Sequence, residues 1–301
     1  MTALQVRKLR WAFDEATPFQ WNRANPAFGV AMNSQSFIAP EFERYIVAAT
    51  RMAMSEITDP EMRAEADAFL TQEALHAGAH RSHVAALVRQ YPGLKQVVDE
   101  LDARYERLLQ TRPLRYHLAY VADIEATFTP FFDMILRHRD TLLDNGDHRV
   151  APIFLWHFVE EIEHRCSAQL IYHAVVPSPW YRLRVMPGVF AHVLECSNVV
   201  CRGFDQHVPA VDRGMNATDM LVGLGMIRAL FRRARPSDPP SQFAAVSWKE
   251  IATLLHRLAR SQRPGHSPAN EQTPPFADEW FDAYDAGRDV VRWYGGEPGA
   301  R

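Results

Sequence analysis

Four stretches of this chain have the apolar periodicity of an α-helix, and each sets a glutamate into the stripe that must face inward. In "APEFERYIVAATRMAMSEI", Glu43 shares a face with Ile46, Val47, Thr50 and Met54. In "FLTQEALHAGAHRSH", Glu73, His76 and His80 share one with Phe69, Val84 and Leu87. Glu125 falls among Leu118, Val121, Ala122, Phe128 and Phe132, and the fourth stripe runs Ile153, His157, Glu161, His164, Ala168, Ile171. Side chains three or four residues apart lie on one helix face. Burying a carboxylate or an imidazole without a partner is costly. Any fold of this chain must therefore bring these carboxylates to something that compensates them.

Their order suggests what that is. Glu43 is followed by Glu73-x-x-His76, then Glu125 is followed by Glu161-x-x-His164, so one pattern of ligand types occurs twice. At i and i+3 two side chains project from one face about 4.5 Å apart along the axis and can reach one ion. Four inward glutamates with two ExxH pairs form the ligand set of ferritin-like dinuclear carboxylate proteins. Four carboxylates and two divalent cations sum to zero charge, while neutral imidazoles complete the coordination. The expectation is an all-α, ferritin-like four-helix bundle holding two transition-metal ions, iron first with manganese and zinc as alternatives. A helix over 94–110 serves as the long crossover, and additional helices follow toward the C-terminus.

Within "WHFVEEIEHR", Glu161 is preferred as ligand because it reproduces the first ExxH; Glu160, one turn before His164, is also on the inner side and is a hydrogen-bonding candidate. Glu163 lies about 100° around the helix from His164 and is expected to face away. His80, one turn after His76, reads equally as a seventh ligand or as a hydrogen-bonding partner of the ligands; for His157, one turn before Glu161, the supporting role leads. Antiparallel helices would put His80 and His157 in one layer. His83, His117, His138 and His173 join no stripe coherently and read as surface or packing residues.

Residues 1–39 read as an N-terminal arm, with helices starting at Pro40; 40–235 as the metal-binding helical domain; and 236–301 as an extension packed on it. Further helices are expected at 60–90, 112–140, 151–172, 186–205, 217–233 and 247–262, with an irregular Pro-rich tail from Gln262. The chain has 301 residues, 47% hydrophobic, and a formal charge of -3, which excludes the dense basic face of a nucleic-acid binder. With no apolar leader and no uncharged run of about 18 residues, it reads as a cytoplasmic chain without a transmembrane segment. Cys166, Cys196 and Cys201 lack CxxC spacing and read as reduced, buried thiols. The apolar helices at 186–205 and 217–233 read as core or a homodimer face.

The pieces "FERYIVAATR", "ITDPEMRAEADAFLTQEALHAGAH", "DIEATFTPFF" and "LWHFVEEIEHR" resemble a bacterial family described as predicted metal-dependent hydrolases, over about residues 30–270. The resemblance implies metal ligands at Glu43, Glu73, His76, Glu125, Glu161 and His164, with His80 and His157 as motif histidines. The ligand chemistry points elsewhere within metalloenzymes. A carboxylate-bridged di-iron pair can bind O2 and take up electrons, so the leading expectation is an O2-activating di-iron oxidase or oxygenase acting on a small apolar or aromatic substrate, with O2 and an electron donor as partners. The alternative is a hydrolase whose dinuclear site activates water. A third is a non-enzymatic ferritin-like metal-binding protein.

Overall fold

A computed structural model of the chain describes residues 4–221, 242–244 and 246–291. Among them every regular element is a helix, so the all-α expectation holds. In order these are α1 (Pro26–Ala53), α2 (Pro60–Gln90), α3 (Leu94–Thr111), α4 (Leu114–Arg137), α5 (Arg139–Leu142), α6 (Ala151–Glu163), α7 (Ser167–Val175), α8 (Pro179–His207), α9 (Ala210–Arg213), α10 (Trp248–Ser261) and α11 (Pro275–Asp285). Short 3₁₀ turns occupy Ala217–Met220 and Pro268–Asn270. None of the described helices is long and apolar enough to cross a membrane.

The start of α2 follows directly from local sequence. The Asp59 carboxylate accepts from the backbone N–H groups of Glu61 and Met62 at 2.8 and 3.1 Å, and Pro60 fills the first helical position, where a missing N–H costs nothing. α1 corrects the expected start at Pro40. It begins at Pro26, capped by Asn25, whose side chain accepts from the Phe28 N–H at 3.0 Å, and it carries Pro40 in its interior. That proline only deletes the bond to the Ser36 carbonyl. The burial of Phe28, Val30, Phe37, Tyr45 and Ile46 outweighs the loss, and residues 26–39 leave the expected arm for the helix. Asn25→Ala is expected to cost about 1 kcal/mol, read as a lower urea midpoint at unchanged slope. An unchanged midpoint would show that the cap contributes nothing.

The expected single helix over 151–172 is broken. α6 ends at Glu163 and α7 starts at Ser167, with His164 at the junction (φ -90°, ψ 13°). Ala168 and Ile171 can then pack toward α4 and α2 from a separate axis. The tail is not wholly irregular either: Phe276, Ala277, Trp280 and Ala283 recur at helical spacing in α11 and are buried, toward α6. Of the helix expected at 217–233, residues 217–220 form one 3₁₀ turn, and 222–233 lie outside the described residues.

α1 runs along α2, and α4 is flanked by α6, α7, α8 and α10. The apolar residues form two clusters. One is built on Ile46, Phe69, Leu118 and Ile171, the other on Phe132, Phe154, Trp156 and Phe158; Phe128 packs against both.

Candidate metal centre

α1 supplies Glu43; α2 supplies Glu73, His76 and His80; α4 supplies Glu125; α6 supplies His157, Glu160 and Glu161; and His164 follows at its end. None of these nine side chains is more than 3% exposed. Ligand atoms of Glu73, Glu125, Glu161 and His164 lie within 4.8 Å of one another, and so do those of Glu43, Glu73 and His76. Glu73 belongs to both groups. Two further triplets, His76–His157–Glu161 and Glu43–His80–His157, meet the same limit. The glutamates recognised on separate apolar stripes thus form one continuous polar cluster inside the helices.

The two ExxH histidines are not equivalent. His76 turns Nδ1 toward Glu161 Oε1 at 3.5 Å, while its Nε2 hydrogen-bonds Glu160 Oε2 at 2.9 Å. His164 does the reverse. Its Nε2 lies 3.0 Å from Glu161 Oε2, 3.2 Å from Glu73 Oε1 and 3.8 Å from Glu125 Oε2, and its Nδ1 bonds Gln72 Oε1 at 3.0 Å. The break after α6 accounts for the difference, because a ring at a helix end is not bound to the in-helix direction that His76 must follow.

Burial drives the electrostatics. It raises the pKa values of Glu43, Glu73 and Glu125 well above the usual carboxylate range, and the neighbouring carboxylate Glu161 reinforces it in all three. Glu161 is pushed well below that range, because contacts with His164, His157 and His76 outweigh its own burial. Burial would lower His76, but its contacts with Glu160 and Glu161 win and lift it to about 10. Burial and mutual repulsion thus favour the protonated form of Glu43, Glu73 and Glu125.

A chain of hydrogen bonds leaves the cluster through the motif histidines. His157 Nε2 lies 2.9 Å from Glu161 Oε1 and 3.3 Å from Glu43 Oε1. His157 Nδ1 meets His80 Nε2 at 2.8 Å, so these two rings do share one layer. His80 Nδ1 meets Ser36 Oγ at 2.9 Å, and Ser36 Oγ meets His83 Nδ1 at 2.8 Å. Burial lowers all three rings, His157 to about 4 and His83 to about 3, so they are neutral near pH 7. Neutrality fixes the direction of the chain. Ionised Glu161 can only accept, so His157 Nε2–H donates to it, His80 Nε2–H donates to His157, Ser36 O–H donates to His80, and His83 Nδ1–H donates to Ser36. Both nitrogens of His80 are engaged within this chain.

Several participants escaped the sequence reading. His83, three residues after His80 on α2, joins the chain rather than merely packing; the link between the two rings was legible only once Ser36 on α1 was known to lie between them. His117 is buried against Tyr45, its Nδ1 2.8 Å from the phenol oxygen. Gln72, adjacent to Glu73 in sequence, holds His164. Glu163 does turn away from the cluster, as expected, but meets Arg7, whose Nη1 and Nη2 donate to it at 2.8 and 2.9 Å. No local signal marks Arg7, which reaches α6 across 153 to 156 positions of sequence.

A cation would suit the atoms left over. Glu43 Oε2, both oxygens of Glu73, Glu125 Oε1 and His76 Nδ1 are buried without an aligned hydrogen bond. Orphaned acceptors of this kind are expensive in an apolar interior and rare without cause, and carboxylate oxygen with imidazole nitrogen is the donor set of divalent transition metals. The family model described as predicted metal-dependent hydrolase matches residues 5–241. The chain belongs to the predicted metal-dependent hydrolase family. No curated protein and no solved structure matches it. Membership in the hydrolase family overturns the expected O2-activating oxidase or oxygenase and, with it, the reason to require O2 and an electron donor. The physical reason lies in the ligands themselves: a carboxylate and imidazole set serves Lewis-acid and redox chemistry alike and cannot select between them.

Proposed function

We propose that this chain is a metal-dependent hydrolase whose dinuclear site activates water, with Glu43, Glu73, His76, Glu125, Glu161 and His164 as ligands. The observation that carries this is the group of orphaned carboxylate oxygens and His76 Nδ1, turned toward one another in a member of a metal-dependent hydrolase family. Supporting a ferritin-like arrangement, α1, α2, α4 and α6 each bring a carboxylate to the cluster, with α3 standing between the second and third of them in the chain. Glu73, common to the Glu73–Glu125–Glu161–His164 and Glu43–Glu73–His76 groups, would lie within reach of a cation held by either. The donor set accommodates iron, manganese or zinc.

When bound, such cations supply Lewis acidity, polarising the scissile group and acidifying water. The chain's own residues do the rest. Glu160 and Gln72 fix the outward nitrogens of His76 and His164, setting which face of each ring points inward. His157 Nε2–H donates to Glu161 Oε1, and the His80–Ser36–His83 chain holds the tautomer and plane of that ring. The surrounding apolar clusters keep bulk water out.

The test is metal content followed by turnover. Two ions per chain are expected, with hydrolysis of at least one member of an ester, amide and phosphoester panel by zinc-loaded protein under strict anaerobiosis. A protein that takes up metal but hydrolyses none of them with zinc, manganese or iron would count against the hydrolase reading; one that takes up none would remove the site.

A further inference from the structure

The segment Gln5–Arg7 is tied to both ExxH histidines. Arg7 is 2% exposed, its guanidinium 4.3 Å from the Phe281 ring centroid of α11, and its Nη1 reaches Glu160 Oε1 at 3.4 Å while it grips Glu163 with both terminal nitrogens. Glu160 passes this contact to His76 Nε2. On the other side, Gln72 Nε2 donates to the Gln5 carbonyl at 3.0 Å and to Glu163 Oε2 at 2.8 Å, while Gln72 Oε1 holds His164 Nδ1. A cleft of about 520 Å³ is lined in part by Leu4, Ile162, Glu163, Cys166, Ala277 and Phe281. The route from that cleft to His164 runs through Glu163 and Gln72, the two side chains the segment holds.

We propose that Gln5–Arg7 is a strap that sets the orientation of both histidines of the metal centre, with Arg7 as its positioning residue and the cleft beyond Glu163 as the side from which the centre is reached when the strap lets go. The proposal rests on the dinuclear reading above. Its physical basis is the coupling of an outer carboxylate or amide to a ligating imidazole, which fixes tautomer and ring plane and raises ligand basicity. Arg7 acts through Glu160 on His76 and through Glu163 and Gln72 on His164, so one guanidinium controls both. Lysine cannot replace it fully, because a point charge lacks the fork that engages Glu163 at two oxygens.

The experiment uses the full chain loaded with cobalt(II), whose visible spectrum reports coordination geometry without turnover. Wild type, Arg7→Ala, Arg7→Lys, Glu163→Gln and Asn25→Ala are compared for cobalt affinity, spectrum and rate of stripping by a chelator. Arg7→Ala is expected to weaken affinity about 10–100-fold, shift the spectrum and speed stripping, with Arg7→Lys between it and wild type. Asn25→Ala lowers stability alone and should leave the spectrum in place. Should Arg7→Ala fail to fold, Glu163→Gln, which keeps the volume but releases the guanidinium, must show the same shift. Wild-type affinity and spectrum in whichever of these two variants folds overturn the strap while leaving the metal centre standing. Wild-type protein that takes up no cobalt, manganese, iron or zinc overturns the dinuclear reading and the strap with it.

Discussion

Glu161→Ala is expected to abolish metal loading at both positions rather than one. Glu161 lies within 3.0 Å of both His157 and His164 and 3.5 Å from His76, and its atoms take part in two of the groups able to hold an ion. It is also the one carboxylate of the cluster held well below its ordinary pKa, which makes it the fixed negative charge around which the histidines are ordered. Removing one partner of a buried charge pair costs about 3–5 kcal/mol, so an affinity loss of roughly 200–5,000-fold is expected, with His76 left uncompensated. Metal analysis after dialysis against a weak chelator would detect it. Retention of two ions by Glu161→Ala would remove this residue from the ligand set.

The second large effect is on pH. Glu43, Glu73 and Glu125 titrate well above the usual carboxylate range, so the metal-free cluster holds protons that cations must displace. Affinity should therefore rise with pH, about tenfold per unit for each proton released. Calorimetric titration in buffers of different ionisation enthalpy counts those protons directly. Stability of the metal-free protein should run the opposite way. A carboxyl whose folded pKa is raised binds more protons folded than unfolded, so its contribution is present below the unfolded value and lost as pH climbs through the folded one. His76, raised to about 10, behaves likewise above the ordinary histidine value. Burial depresses His80, His83 and His157, which add stability as pH rises but only up to about 6.5, their unfolded value. From about pH 7 to 9, metal-free protein should lose stability while metal-loaded protein does not. Loading that releases no protons between pH 6 and 8 would mean the carboxylates are already ionised.

Much of this centre was legible because ligand spacing and helix period are both local. Glu73 and His76 are forced onto one face by 3.6 residues per turn, whatever the helix packs against, and the repetition at Glu161 and His164 needs no knowledge of the fold. The same local logic found Asp59–Pro60 as the start of α2. It failed where a strong local signal was overruled at a distance. Pro40 marks a helix start on propensity, yet packing along α1 holds it in the interior. At His164, local sequence gives no stop, and the helix breaks nonetheless.

The sequence by itself determined that the chain is helical, which carboxylates must be compensated, and which donor types surround them. Composition and period act within a few residues, and buried charge admits few solutions. The tertiary structure alone decided that His76 offers Nδ1 and His164 Nε2, that Ser36 joins His80 to His83, and that Arg7 stands behind both histidines. Those contacts join residues 44 to 156 positions apart. Their geometry is set by how helices pack and end, which no short window of sequence encodes.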